Sequence, residues 1–263
     1  MKKKLFVFQI LILTTLFSCA GDDDSSLVDT NLVLPKTISI TYPDFPEDNS
    51  KSTLTYDGNK IVSTVESDSK TVFTYEGNVI VKQIQYILKE GKEIKDTEVN
   101  YTYENGKLKT RLIRESFSDN YPDGTYIYKT VYTHVSDVLI NYINYSVEPD
   151  SKVETKNAEG SLTYKEENLI KEEQVIGSSK LARIYEYDLK NNPLKNILGF
   201  DLLLNEISDY AKNNSTKTTR VENGSTIANY PASHTYNEEG YPLKSTSFTG
   251  GGKTIEYEIE YTY

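Results

Sequence analysis

The chain has 263 residues and a formal net charge of −10, with 39 Asp and Glu against 29 Lys and Arg. Nucleic-acid binding needs clustered Lys and Arg to displace counterions, so this acidic balance argues against it. It argues equally against a polybasic grip on anionic lipid.

The first element is a cationic start, Lys2 to Lys4, followed by an apolar run from Leu5 to Phe17. The run is too short to span a ~30 Å hydrocarbon core as a helix and has the length of a signal-peptide core. Leu16-Phe17-Ser18-Cys19 resembles the bacterial lipobox, in which a small residue precedes an acylated cysteine, although Phe17 is bulkier than that pattern prefers. Residues 1–18 are therefore expected to be a lipoprotein signal peptide that is removed, and Cys19 the lipid attachment site. The competing reading is an ordinary secretory signal with a stray cysteine. Cys19 is the one cysteine of the chain, so its lipidation leaves no internal disulfide. One acyl chain holds a protein only marginally, whereas the two or three chains that the resemblance implies hold it effectively permanently. The membrane is thus expected as a partner through lipid on Cys19. Residues 19–35, in which Cys19 is followed by Ala20-Gly21-Asp22-Asp23-Asp24-Ser25-Ser26, read as a lipidated, solvated acidic tether. That stretch also resembles the acidic export signal of surface lipoproteins in Bacteroidota, which implies an outer-membrane location facing the cell surface.

From residue 36 onward the chain repeats. A tyrosine, polar turn residues and an aliphatic residue recur at tight spacing in Tyr56 to Ile61, Tyr75 to Ile80, Tyr103 to Leu108 and Tyr164 to Leu169. Three further copies are two residues longer: Tyr132 to Leu139, Tyr187 to Leu194 and Tyr236 to Leu243. Gly58-Asn59, Gly77-Asn78 and Asn105-Gly106 suit two-residue hairpin loops that need positive φ. With such loops the tyrosine faces the aliphatic residue across the hairpin. Even changes of loop length preserve that facing, because side chains alternate with period two. Ile255, Tyr257, Ile259, Tyr261 and Tyr263 alternate with Glu256, Glu258 and Glu260, the pattern of a half-buried strand. Tyrosine suits these strands, its ring packing while its hydroxyl reaches water at the edge of a thin core.

The interval from Tyr187 to Tyr236 breaks the rhythm. Asn192 could cap a short helix with Pro193 at its first position and Gly199 ending it. Leu203, Ile207 and Tyr210 then fall at helical spacing, and Lys212 to Thr219 read as an exposed loop.

Tyr185-Glu186-Tyr187-Asp188 leading to Asn192-Pro193-Leu194, and Thr235-Tyr236-Asn237-Glu238-Glu239-Gly240-Tyr241-Pro242-Leu243, resemble tyrosine–aspartate (YD, RHS-like) repeats. Over roughly residues 50 to 263 the chain resembles Bacteroidota lipoproteins that carry such repeats. The resemblance implies a β-rich repeat fold and a surface location, with no established activity and no site residue beyond Cys19.

Catalytic signals are sparse. His134 and His234 have no Cys, His or carboxylate at metal-ligand spacing and read as surface or strand-edge residues. No nucleophile elbow, P-loop or dinucleotide fingerprint occurs, and Gly250-Gly251-Gly252-Lys253 reads as a turn before the last strand. Glu256, Glu258 and Glu260 share one exposed face, where desolvation is too weak for acid catalysis. Catalytic residues, metal and cofactors are therefore expected to be none.

The expected architecture is mainly all-β: an antiparallel meander of successive hairpins forming a curved or closed sheet, with a short helical insertion near 193–211. It comprises one domain, 36–263, with an insertion at 193–230. The expected role is a non-catalytic binding or scaffold module for a polysaccharide or protein. The alternative is a periplasm-facing structural or accessory lipoprotein with no small-molecule ligand, and a carbohydrate-active enzyme is the remoter one.

Overall fold

A computed structural model of the chain describes residues 32–207 and 211–263. Cys19, the signal segment and most of the tether lie outside the described residues, as does Tyr210. The strands run β1 (Thr37–Thr41), β2 (Ser50–Asp57), β3 (Lys60–Val65), β4 (Ser69–Glu76), β5 (Val79–Lys89) and β6 (Lys92–Glu104). They continue with β7 (Lys107–Glu115), β8 (Tyr126–His134), β9 (Leu139–Val147), β10 (Glu154–Lys165) and β11 (Asn168–Ile176). After β12 (Ser179–Tyr187) come β13 (Ser215–Glu222), β14 (Ser225–Tyr236), β15 (Pro242–Phe248) and β16 (Ile255–Thr262). Each strand pairs antiparallel with its neighbours in sequence, and β1 pairs with β16 from Thr37↔Thr262 to Thr41↔Glu258. The meander is thus a closed barrel of sixteen strands, the arrangement that removes sheet edges altogether.

The four tight repeats pair as the spacing requires: Tyr56↔Ile61, Tyr75↔Ile80, Tyr103↔Leu108 and Tyr164↔Leu169. Asn105 and Gly106 both take positive φ, 53° and 73°, as a type I′ loop demands. Glu166 and Glu167 do the same at 52° and 66° without the residues that favour it. The longer copies depart from expectation. Tyr132 faces Tyr142, Tyr187 faces Ser215 across a bulge, and Tyr236 faces Pro242 across another. The tight copies carry the same bulge at the tyrosine and Tyr132 pairs without one, so spacing alone does not fix the partner.

The hydroxyls also behave differently from the reading that sent them to water. Tyr103 donates to the carbonyl of Ile80 at 2.7 Å, Tyr187 to that of Leu169 at 2.7 Å, and Tyr263 to that of Pro242 at 2.8 Å. Each acceptor belongs to the residue that faces the preceding hairpin's tyrosine. Tyr56 does the equivalent on Pro35 at 2.8 Å, and the Ile61 amide donates to the Tyr75 hydroxyl at 3.2 Å. The repeat is therefore a stitch from one hairpin to the one before. Burial pushes Tyr75 up to about 12 and raises Tyr56, Tyr103 and Tyr263 as well.

A barrel of this strand number leaves a channel unless something fills it, and the segment between β12 and β13 does so. Ile197, Phe200 and Leu203 are buried among Leu54, Ile61, Ile80, Leu108, Ile140 and Leu162 of the wall. Leu198 donates its amide to Asn59 O at 3.0 Å and accepts at its carbonyl from Tyr75 at 2.9 Å. Glu206, with its side chain 4% exposed, takes Arg111 and Tyr132 as partners. The insertion is thus a plug, docked at the end of the barrel where the tight repeat turns lie.

Its internal structure corrects the helix reading. Asn192 accepts from Leu194 N at 2.9 Å, as a cap would, but only turns follow. Gly199, at φ 83°, precedes a 3-10 segment, Phe200–Glu206, instead of ending a helix. At Leu204 (φ 59°, ψ −126°) the backbone leaves helical geometry, so the segment is kinked rather than continuous. The exposed loop expected over 212–219 is also shorter: β13 begins at Ser215, and residues 215–230 belong largely to the sheet. At the neck, Asp188 accepts from the Asn214 amide at 3.1 Å and from the Tyr236 hydroxyl. Asn168, buried in the wall, accepts from Asn213 N at 3.0 Å.

Candidate ligand-binding site

Below the plug the inward-facing side chains change character. On β12–β14 the inward set runs Tyr187, Tyr185 and Arg183, facing Ser215, Thr218 and Arg220, with Tyr230 and Ala228 beyond. On β16 and β1 it is Tyr257, Ile259 and Tyr261 against Ile40 and Ile38. These residues and the underside of the plug, Leu194, Asn205 and Ile207, enclose about 790 Å³. That volume lies within the ~300–1,000 Å³ usual for small-molecule sites. Toward the end away from the plug the inward set is exposed, as at Ile87, Ile94 and Tyr128, so the lumen has one dry end and one wet end.

Charge in this space is arranged in a row. Glu172, Arg183 and Arg220 are successive cross-strand partners on β11, β12 and β13. Glu172 accepts from Arg183 at 3.1 Å and from Asn205 of the plug at 3.2 Å. Arg220 is exposed and has no hydrogen-bond or ion-pair partner among the described residues. Like charges directly opposite one another on a sheet are destabilising, so the Arg183–Arg220 pair is a cost that one carboxylate offsets only in part.

His234 belongs to this wall rather than to the surface. Its Nε2 donates to Ser215 O at 2.9 Å and its Nδ1 lies 2.8 Å from Ser245 Oγ, tying β14 to β13 and β15. His134 likewise lies 2.8 Å from Leu108 O, completing at the fourth hairpin the stitch that tyrosine makes elsewhere. Both histidines are part-buried, where the sequence suggested surface or strand-edge positions. Among the described residues, no group of three or more His, Cys, Asp or Glu is placed to hold a metal. The lumen carboxylates Glu172 and Glu206 are each engaged by an arginine, Arg183 and Arg111. Glu258 and Glu260 lie outside the barrel with Lys244, as the alternation on β16 suggested.

The outer face mixes charged and apolar positions, with Ile84, Val131, Ile143 and Ile184 among the latter. Outward positions carry Lys51, Lys82, Glu98, Arg114, Lys171 and Glu173 at mid-strand, with pairs such as Arg114–Glu98 at 3.2 Å and Lys217–Glu186 at 2.8 Å. A smaller outer hollow of about 310 Å³ over Leu112, Ile127 and Val147 is bordered by the Lys129–Glu154 pair.

The fold has solved counterparts. The chain aligns with a porin-like protein from Bacteroides vulgatus at TM-score 0.61 and 15% identity, over 88% of this chain and 99% of that one. A porin-like protein from Bacteroides uniformis aligns at TM-score 0.49 and 10% identity, over 87% and 97%. The fold is therefore that of a porin-like antiparallel barrel. No protein-family model and no curated protein matches the chain.

Proposed function

We propose that this protein is a non-catalytic binding module of the cell envelope, tethered to the outer membrane by lipid on Cys19 and displayed in water at the cell surface. The observation that carries the reading is the polarity of the barrel. A membrane-spanning barrel turns an apolar band outward and a polar lining inward. Here the outward face bears Lys, Arg and Glu at mid-height, while Leu54, Ile61, Ile80 and Leu162 fill the plugged end of the interior. At the bilayer midplane each outward Lys or Arg would cost about 2–4 kcal/mol. Such a barrel belongs beside a membrane rather than in it, and an anchored cysteine on a short acidic tether supplies the attachment. The plug blocks passage along the lumen, so the wet end acts as a cup for a polysaccharide or protein segment and not as a pore.

Labelling with an alkynyl fatty acid, combined with protease shaving of intact cells, tests this reading. The wild-type chain takes up label and is cleaved, and Cys19→Ser takes up none. Label persisting in Cys19→Ser would refute the anchor. Protection on intact cells would favour the periplasm-facing alternative.

A further inference from the structure

We infer that the wet half of the lumen binds an acidic oligosaccharide, with Arg220 and Arg183 receiving its carboxylate or sulfate and the tyrosines of β12, β14 and β16 stacking on its rings. The inference rests on the binding-module reading and adds the site and the ligand class.

Three observations converge. First, Arg183 and Arg220 line the cavity with the carboxylate of Glu256, and Arg220 has no partner among the described residues. Glu172 serves Arg183, and nothing serves Arg220. Arginine presents a planar fork that matches carboxylate and sulfate geometry. Two forks side by side across a strand pair form a receptor that is electrostatically unfavourable until an anion arrives. Second, the lining combines aromatic faces with short polar groups. Tyr230 and Tyr257 stand beside Ser215, Thr218, Ser245 and Ser247. Sugar rings offer C–H faces to aromatic rings and hydroxyls to such donors and acceptors. A fatty acyl chain would leave those polar groups unpaired, which is costly in an enclosed space. Third, Asn205 of the plug donates to Glu172 at 3.2 Å, so the floor of the cup sets one polar group between Leu194 and Ile207 and is held in place from above.

Isothermal titration of the full chain in detergent at low salt, with trigalacturonate and neutral maltotriose as probes, tests the inference. Arg220→Gln removes a side chain that has no structural partner, and Lys217→Gln on the outer face of the same strand controls for net charge. Trigalacturonate should bind, Arg220→Gln should weaken it about tenfold, as befits a lost charge-assisted bond, and Lys217→Gln should leave it unchanged. Maltotriose should bind at least about tenfold more weakly than the acidic probe. Equal binding of both probes would overturn the inference while leaving a glycan-binding module intact. Binding of neither would overturn it together with the glycan reading. An equal loss in both variants would reduce the effect to general charge and overturn it too.

Discussion

Leu203 is the residue on which the plug is best tested. Its side chain is fully buried and packs in the same cluster as Ile80, Leu108 and Leu162 of the barrel wall. Leu203→Ala removes three carbons, each contributing about 0.8 kcal/mol by transfer out of water. The surrounding wall is a closed ladder of strands and relaxes little, so a cavity term adds to the transfer term. The expected loss is about 3–4 kcal/mol, near the middle of the range for buried leucines. Urea unfolding followed by far-ultraviolet circular dichroism measures it. Leu189→Ala provides the control: that side chain is 91% exposed, and its loss should change stability by less than about 0.5 kcal/mol. A Leu203→Ala protein within about 1 kcal/mol of wild type would mean that the insertion does not pack in the lumen, and the plug argument would fall.

Three further outcomes follow from the wall itself. Tyr75 is held up to about 12, and Tyr101, Tyr132 and Tyr142 are raised by burial too. The unfolded chain loses phenol protons near its ordinary value of about 10, so stability is intact below that pH and falls as pH rises toward 12. Tyrosinate absorbance at 295 nm should therefore appear in two stages, the second coinciding with loss of β-sheet signal; a single smooth titration would contradict it. Gly160 lies between Tyr142 and Gln174 on the neighbouring strands, and a Cβ there would overlap the Glu173 carbonyl and the Tyr142 ring. Gly160→Ala should cost about 1–3 kcal/mol or more, and an unchanged melting temperature would refute that packing. Replacing Glu166-Glu167 by Asn-Gly gives a positive-φ loop the residues that tolerate it. It should raise stability by about 0.5–1 kcal/mol, and a lowered melting temperature would show that the loop has another conformation.

Much of the barrel was legible in the sequence because hairpins are local. The Tyr-to-aliphatic spacing of Tyr103 and Leu108, with Asn105-Gly106 between them, contains loop, register and facing within six residues. Where an insertion intervenes, that information is spread out. Tyr187 finds Ser215 only because Asp188 and Asn214 close the neck of the plug, a contact across 26 residues. Closure is less local still: β1 and β16 meet over a separation of 225 residues at Thr37 and Thr262. Neither strand differs in composition from an edge strand in a way that announces its partner. The row Glu172–Arg183–Arg220 was invisible for the same reason. Its members lie in three strands, and only their shared register brings them onto one wall.

The polarity of the closed sheet follows from both levels together. The alternation on β16 sorts Tyr257, Ile259 and Tyr261 from Glu258 and Glu260, and either set could in principle line the inside. The loop lengths decide it. Among the described residues the segment after Tyr187 is the longest connection between strands, and it carries Ile197, Phe200 and Leu203. Those side chains can be buried only if the wall turns its own apolar set toward them, which sends Glu258, Glu260 and their partner Lys244 outward. A barrel of the same strand number with a water-filled channel has no such filling and can present its apolar set to lipid. The plug therefore does more than block the lumen. By demanding apolar side chains on the inner wall it sends charged residues such as Glu258, Glu260 and Lys244 to the outside of the porin-like fold.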